Sequence, residues 1–261
     1  MTRSVHELYA ARIIDQTREL TAAVKGADAA TAVPGLDGWT LAHLLRHVGG
    51  AHRWAETVIR SRATAPVPDD QVDDVTPGKD DDLPGLTAWL LEGAERFADT
   101  LHATPEDTEV WTVAPSGRPV FWARRMTYET VVHRYDATMA AGGTYALDAA
   151  TAIDGIEEWL GFSTLPQAYA SPAALRALIA PDRTLHLHGT DAPQDTGEWL
   201  VDLTGASPIV SHGHHKATTA ARGPLKDLLL ALYERPAAVE LFGDEALFSD
   251  WVHAAGDWLR R

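Results

Sequence analysis

The apolar residues of this chain change their period near residue 182, and that switch restricts the fold more than any other feature. Before it, hydrophobic positions recur at helical spacing in residues 4–26, from about Thr40 to Arg60, in "LPGLTAWLLEGAERFADTLHA" and in "FWARRMTYETVVHRYDATMAAG". Helices with apolar stripes must bury them against one another, so these segments and the polar insertions between them predict an antiparallel four-helix bundle. A shorter helix, "DAATAIDGIEEWLGF", follows. Beyond the switch, "TLHLHG", "GEWLVDLT", "SPIVSHG", "HKATTAAR" and "AAVELFG" read as short strands punctuated by Gly, Asp and Pro. "GPLKDLLLALYER" and "EALFSDWVHAAGDWLRR" read as helices among them. Strands and helices mixed in one block predict a small α+β unit. The expected organisation is two domains, residues 1–165 all helical and residues 166–261 α+β.

Two local features carry packing information. Gly49 and Gly50 fall inside the second helix, where each is unfavourable by roughly 1 kcal/mol relative to Ala. They therefore point to close packing or a bend. Residues 63–82, "ATAPVPDDQVDDVTPGKDDD", read as a solvated loop, and lack the alternating ligands and sixth-position Gly of an EF-hand.

Charge and composition narrow the function. Asp plus Glu number 37 against 22 Lys plus Arg, for a net charge of -15. That balance repels nucleic acid and anionic lipid, so neither is an expected partner. No apolar run is long enough to span a membrane, and "MTRSVHELYAARI" lacks the apolar core of a secretory signal; a cytoplasmic location is expected. Cysteine is absent. Disulfides, thiolate-held zinc and a protein-borne thiol nucleophile are excluded together, so any metal must be held by His, Asp or Glu.

The fourth helix contains the chemically suggestive stretch, "MTYETVVHRYDA". Wound at about 100° per residue, Glu129, His133 and Asp136 fall at roughly 80°, 120° and 60°, among Trp122, Met126 and Ala140, with Arg124, Arg125 and Arg134 outside that sector. Carboxylates and an imidazole on an apolar stripe are expensive to bury without a partner. Either they satisfy one another in a hydrogen-bonded network, or they reach a metal, since Glu and His at i and i+4 can share one ion. A further ligand must come from another helix. The second offers His43, His47 and His52; His43 lies off its apolar stripe, while His47 and His52 flank it on opposite sides and remain equivalent on this evidence.

"GWTLAHLLRHVGGAHRW" followed by "TYETVVHRYDA" resembles the DinB-like N-terminal module of the mycothiol-dependent maleylpyruvate isomerase family, whose pattern is a Trp, eight residues later a His, and then Glu-x-x-x-His-x-x-Asp on the fourth helix. "LHLHGTDAPQDTGEWLVDL", "ARGPLKDLLLALYERP" and "VELFGDEALFSDW" resemble its sterol-carrier-like C-terminal domain. The resemblance implies His47, Glu129 and His133 as ligands of zinc or another divalent metal, with Asp136 behind them as an orienting partner. It implies Trp39 and Arg222 as substrate or thiol contacts, and a C-terminal domain closing the substrate pocket. It further implies mycothiol as cosubstrate. In the isomerases its thiolate adds to a conjugated double bond, which rotates before elimination gives the trans isomer; relatives use the thiolate for S-transfer to small electrophiles. No protein nucleophile is then required. Arg222 also precedes a helix start, a plausible anion site, although a surface salt bridge is the plainer reading.

Other candidates carry less. His212, His214 and His215 in "SHGHHK" could take up adventitious metal; His186 and His188 share one strand face and read as structural. His6, His43, His52, His102 and His253 read as surface or rim residues. Ser163 reads as a loop serine, because "GFSTLP" lacks the second Gly of a nucleophile elbow. Two alternatives remain: a metallohydrolase using metal-bound water, and a non-catalytic protein binding a small apolar ligand. The chain is expected to be a monomer or homodimer.

Overall fold

In the computed structural model, residues 4–76, 82–194 and 196–260 are described, and they divide into two compact units, 1–145 and 146–261. The first unit contains α1 (Val5–Ala23), α2 (Leu41–Arg60), α3 (Leu83–Ala103) and α4 (Pro119–Ala140). Local chemistry sets where the helices begin. Ser4 with Glu7, and Thr40 with His43, form reciprocal caps that satisfy the first free amides of α1 and α2. Pro119 opens α4, where its missing N–H has no helical partner to lose. The last residues of the acidic insertion, 77–81, lie outside the described residues.

Side-chain contacts give the helix directions. His6 Nδ1, at the start of α1, lies 3.1 Å from the carbonyls of Leu101 and Thr104 at the end of α3, so these two helices are antiparallel. Arg12 meets Tyr128 and Glu19 meets Arg134, so α1 and α4 run the same way. Arg53 reaches Glu92 and Thr100 reaches Glu56, so α2 and α3 are also parallel. His47 meets Glu129 while Trp54 meets Trp122, so α2 and α4 are antiparallel. The order is therefore up-down-down-up rather than wholly antiparallel. A parallel neighbour requires the chain to return along a helix of about 30 Å, and the long 61–82 connection has the reach for it.

One core cluster joins Leu20, Leu41, Leu44, Leu45, Val48, Leu86 and Leu90, with Trp39 and Trp89 packed against it. The paired glycines mark close packing. A Cβ on Gly49 would stand 2.1 Å from the Trp89 ring. Burial extends around most of α4, including Arg125 and Arg134. Its threonines meet this by returning hydroxyls to the helix itself, as Thr127 to Ala123 O (2.8 Å) and Thr130 to Met126 O (2.7 Å).

The second unit begins with α5 (Ala149–Ser163), which the expected boundary at 165 had grouped with the bundle. In the structure α5 packs against α7 (Leu225–Leu232). The remaining elements are α6 (Pro172–Leu178), α8 (Glu245–Ala255) and a five-stranded sheet of β1 (Thr184–Gly189), β2 (Glu198–Asp202), β3 (Ile209–His212), β4 (Thr219–Gly223) and β5 (Glu240–Gly243). Its order is β3-β2-β1-β4-β5, with β1 and β4 parallel and the other pairs antiparallel. Leu185, Leu187, Trp199, Val201 and Ala221 are buried on one face; α7 and α8 pack against this sheet. By alternation His186, His188, Glu198 and Arg222 project from the other face. Ser163 is the buried last residue of α5, its hydroxyl on Leu160 O, rather than a loop serine.

Candidate metal centre

Two helices bring three candidate ligands to one point in the first unit. The α2 residue His47 places Nε2 2.8 Å from Glu129 Oε1. On α4, one turn beyond Glu129, His133 places its own Nε2 3.2 Å from the same oxygen. Two imidazole nitrogens from different helices thus converge on a single carboxylate oxygen, and one ligand atom from each residue lies within 4.8 Å of the others. The packing of α2 against α4 makes this possible, because the i and i+4 residues of one helix share a face and meet a single turn of the other.

Each member is held from behind. Asp136 Oδ2 takes His133 Nδ1 at 2.9 Å, and Arg125 Nη2 donates to Glu129 Oε2 at 3.4 Å. The Trp39 ring stands 5.1 Å from the His47 ring and 6.1 Å from the His133 ring, walling one side. Asp136 is buried, Glu129 is partly exposed and His47 is open to solvent, so the cluster is reachable from outside while its support is not.

The electrostatics favour a cation. Burial opposes the charge on Glu129, yet hydrogen bonds from His133 and His47 hold its carboxyl well below the usual range. Burial likewise opposes a charged His133, but Asp136 and Glu129 outweigh it and raise this imidazole to about 9. The donor set of two imidazoles and one carboxylate suits zinc or a similar first-row ion, and three protein ligands are the number found where zinc keeps a position for substrate.

The helical pattern left His47 and His52 equivalent and the family resemblance chose His47; the fold places the two apart. His52 is fully buried, with Nε2 2.8 Å from Thr130 Oγ1 and its ring against Phe97, away from the cluster. His6 is buried too, so neither is the surface or rim residue expected. Both sit where α1 or α2 faces another helix, a placement that depends on helix pairing rather than local pattern. His43 is spent on the α2 cap, and His253 bonds Glu234 on the surface. Arg222, on β4, pairs with Glu240 at 2.9 Å and is exposed. His212 bonds Glu157, while His214 joins His186 and His188 around Glu198, a grouping invisible in the sequence. The part played by Arg125 was also missed; its i to i+4 spacing from Glu129 was the available signal.

Comparison with known proteins identifies the family and the fold. Residues 10–138 match the family model described as "Mycothiol maleylpyruvate isomerase N-terminal domain", and residues 150–250 match "MDMPI C-terminal domain". Among solved structures, a mycothiol-dependent maleylpyruvate isomerase and its histidine-to-alanine mutant are similar at TM-scores of 0.54 and 0.56. In both comparisons 13% of residues are identical, with 88% of this chain and 90% of the other covered, a likeness that establishes the fold. No match to this chain is found among curated proteins.

Proposed function

Because the chain belongs to the mycothiol maleylpyruvate isomerase family, we propose that it is a metal-dependent enzyme that activates the thiol of mycothiol for addition or transfer to a small electrophile. The observation that carries this reading is the convergence of His47 and His133 on Glu129 Oε1. A divalent ion bound there, zinc by donor type, would acidify an incoming thiol so that it reacts as thiolate near neutral pH.

The chain's own residues supply the rest. With a divalent ion held by two imidazoles and the one carboxylate of Glu129, the centre would remain net positive and would favour an anionic sulfur. Asp136 fixes the Nδ1 edge of His133, which turns Nε2 toward Glu129. Arg125 occupies the far oxygen of Glu129 and leaves the near one to the cluster. Trp39 keeps an apolar surface beside both imidazoles, limiting water where the thiol arrives. Arg222 is proposed as a contact for the anionic end of the electrophile. A chain that has no cysteine needs its sulfur nucleophile from outside, which is consistent with a thiol cosubstrate.

Asp136, the carboxylate beside the cluster, is buried and bonded to His133, so it is poorly placed as the general base a hydrolase requires. No helix among the described residues is long and apolar enough to cross a membrane, and a cytoplasmic setting is part of the proposal. The test is a cobalt-substituted protein with mycothiol added. A sulfur-to-cobalt charge-transfer band, with isomerase or thiol-conjugating activity toward small electrophiles, is the expected result. Absence of the band at saturating thiol would overturn the reading.

A further inference from the structure

The sheet face opposite the helices carries a second histidine–carboxylate cluster that the proposed reaction does not use. His186 and His188 are two residues apart on β1 and so project from the same face, and the antiparallel register sets Glu198 of β2 directly across from His188. His214 reaches the same carboxylate from the loop after β3. Glu198 Oε2 lies 3.2 Å from His186 Nε2 and 2.8 Å from His214 Nδ1, while its Oε1 lies 2.9 Å from His188 Nδ1.

The division of the two oxygens is informative. Two rings, with centroids 5.1 Å apart and planes at 85°, converge on Oε2, whereas a third ring holds Oε1. The bundle cluster has the same plan, with two imidazoles on one oxygen of Glu129 and Arg125 on the other. His186 is buried, which holds its ring in place against Glu198. Arg222 aligns with His188 across β1 and β4, yet its charge is paired with Glu240, so it does not stand against a cation here.

We propose that His186, Glu198 and His214 form a second divalent-metal site of zinc type, with His188 positioning the carboxylate through its other oxygen. One ligand atom from each of the three lies within 4.8 Å of the others, and bonds of about 2.0–2.2 Å to each require only small side-chain movements. The ion would tie the loop carrying His214 to the β1–β2 pair. His212, engaged on Glu157, and His215 are not part of the site.

Calorimetric titration of the metal-stripped full chain with Zn2+ tests this. Wild type is expected to bind two equivalents. His214→Ala, which alters an exposed loop residue, removes one of them or weakens it by roughly tenfold or more. His212→Ala and His215→Ala leave both equivalents in place. Zn2+ also raises the melting temperature of His133→Ala protein, and this rise disappears in His133→Ala/His214→Ala. If His133→Ala does not fold, the comparison of wild type with His214→Ala still decides. Zinc binding indifferent to His214, or equally lost in His215→Ala, which would mark adventitious binding by the loop, overturns the proposal.

Discussion

Asp136 holds the Nδ1 edge of His133, so a buried carboxylate outside the candidate ligand set governs where the His133 Nε2 points. Asp136→Asn keeps the shape and removes the charge. It is expected to weaken metal binding by about 10–100-fold while the protein stays folded, as measured by zinc titration and circular dichroism. Unchanged affinity would show that Asp136 has no part in orienting the ligand. His52 makes a different prediction. Burial, followed by the charge of Arg53, lowers its pKa from 6.5 to about 3. In the unfolded chain His52 takes up a proton below about pH 6.5, whereas in the folded chain it does not until about pH 3. The unfolded state therefore binds more protons in that window, and stability present above pH 6.5 is lost as pH falls toward 3. His52→Gln is expected to flatten the acid-side slope of stability by up to about 1.4 kcal/mol per pH unit. Urea denaturation of both proteins between neutral and mildly acidic pH measures it, and identical slopes would sink the prediction.

At the scale of elements, the bundle depends on how closely α2 approaches α3. Gly49 gives its space to Trp89, and Trp89 in turn stacks under Arg53, whose guanidinium carbon lies 4.0 Å from the ring centroid. The Trp89 indole nitrogen also donates to Asp74 at 2.8 Å, so the ring cannot swing aside cheaply. Gly49→Ala gains about 1 kcal/mol of helix propensity but forces an overlap worth about 1–3 kcal/mol. A net loss of up to about 2 kcal/mol is expected from urea denaturation, and a stabilised variant would contradict the close contact. The sequence showed two glycines in a helix and hence some packing or bending reason for them. It could not say which partner filled the space, because Trp89 belongs to a helix forty residues on whose direction the intervening loop leaves open.

For the molecule as a whole, the reading separates metal from substrate. Arg222→Ala breaks an exposed pair with Glu240, which is worth about 0–1 kcal/mol, so stability and metal content should be nearly unchanged while turnover of an anionic electrophile falls. Steady-state kinetics beside metal analysis check it; loss of metal would show that Arg222 supports a metal site rather than the substrate. The amino-acid pattern alone determined most of the elements, the change from bundle to sheet, and the placing of Glu129, His133 and Asp136 on one helical face. Periodicity is a local property, set by residues within a turn or two of one another. Only the tertiary structure decided the parallel course of α2 and α3, the burial of His52 and the gathering of His186 and His214 around Glu198, while the approach of His47 to Glu129 was implied by the family resemblance and not by the helical pattern. Those outcomes depend on which helix faces which and on strand register, and such pairings are settled by packing the whole core at once.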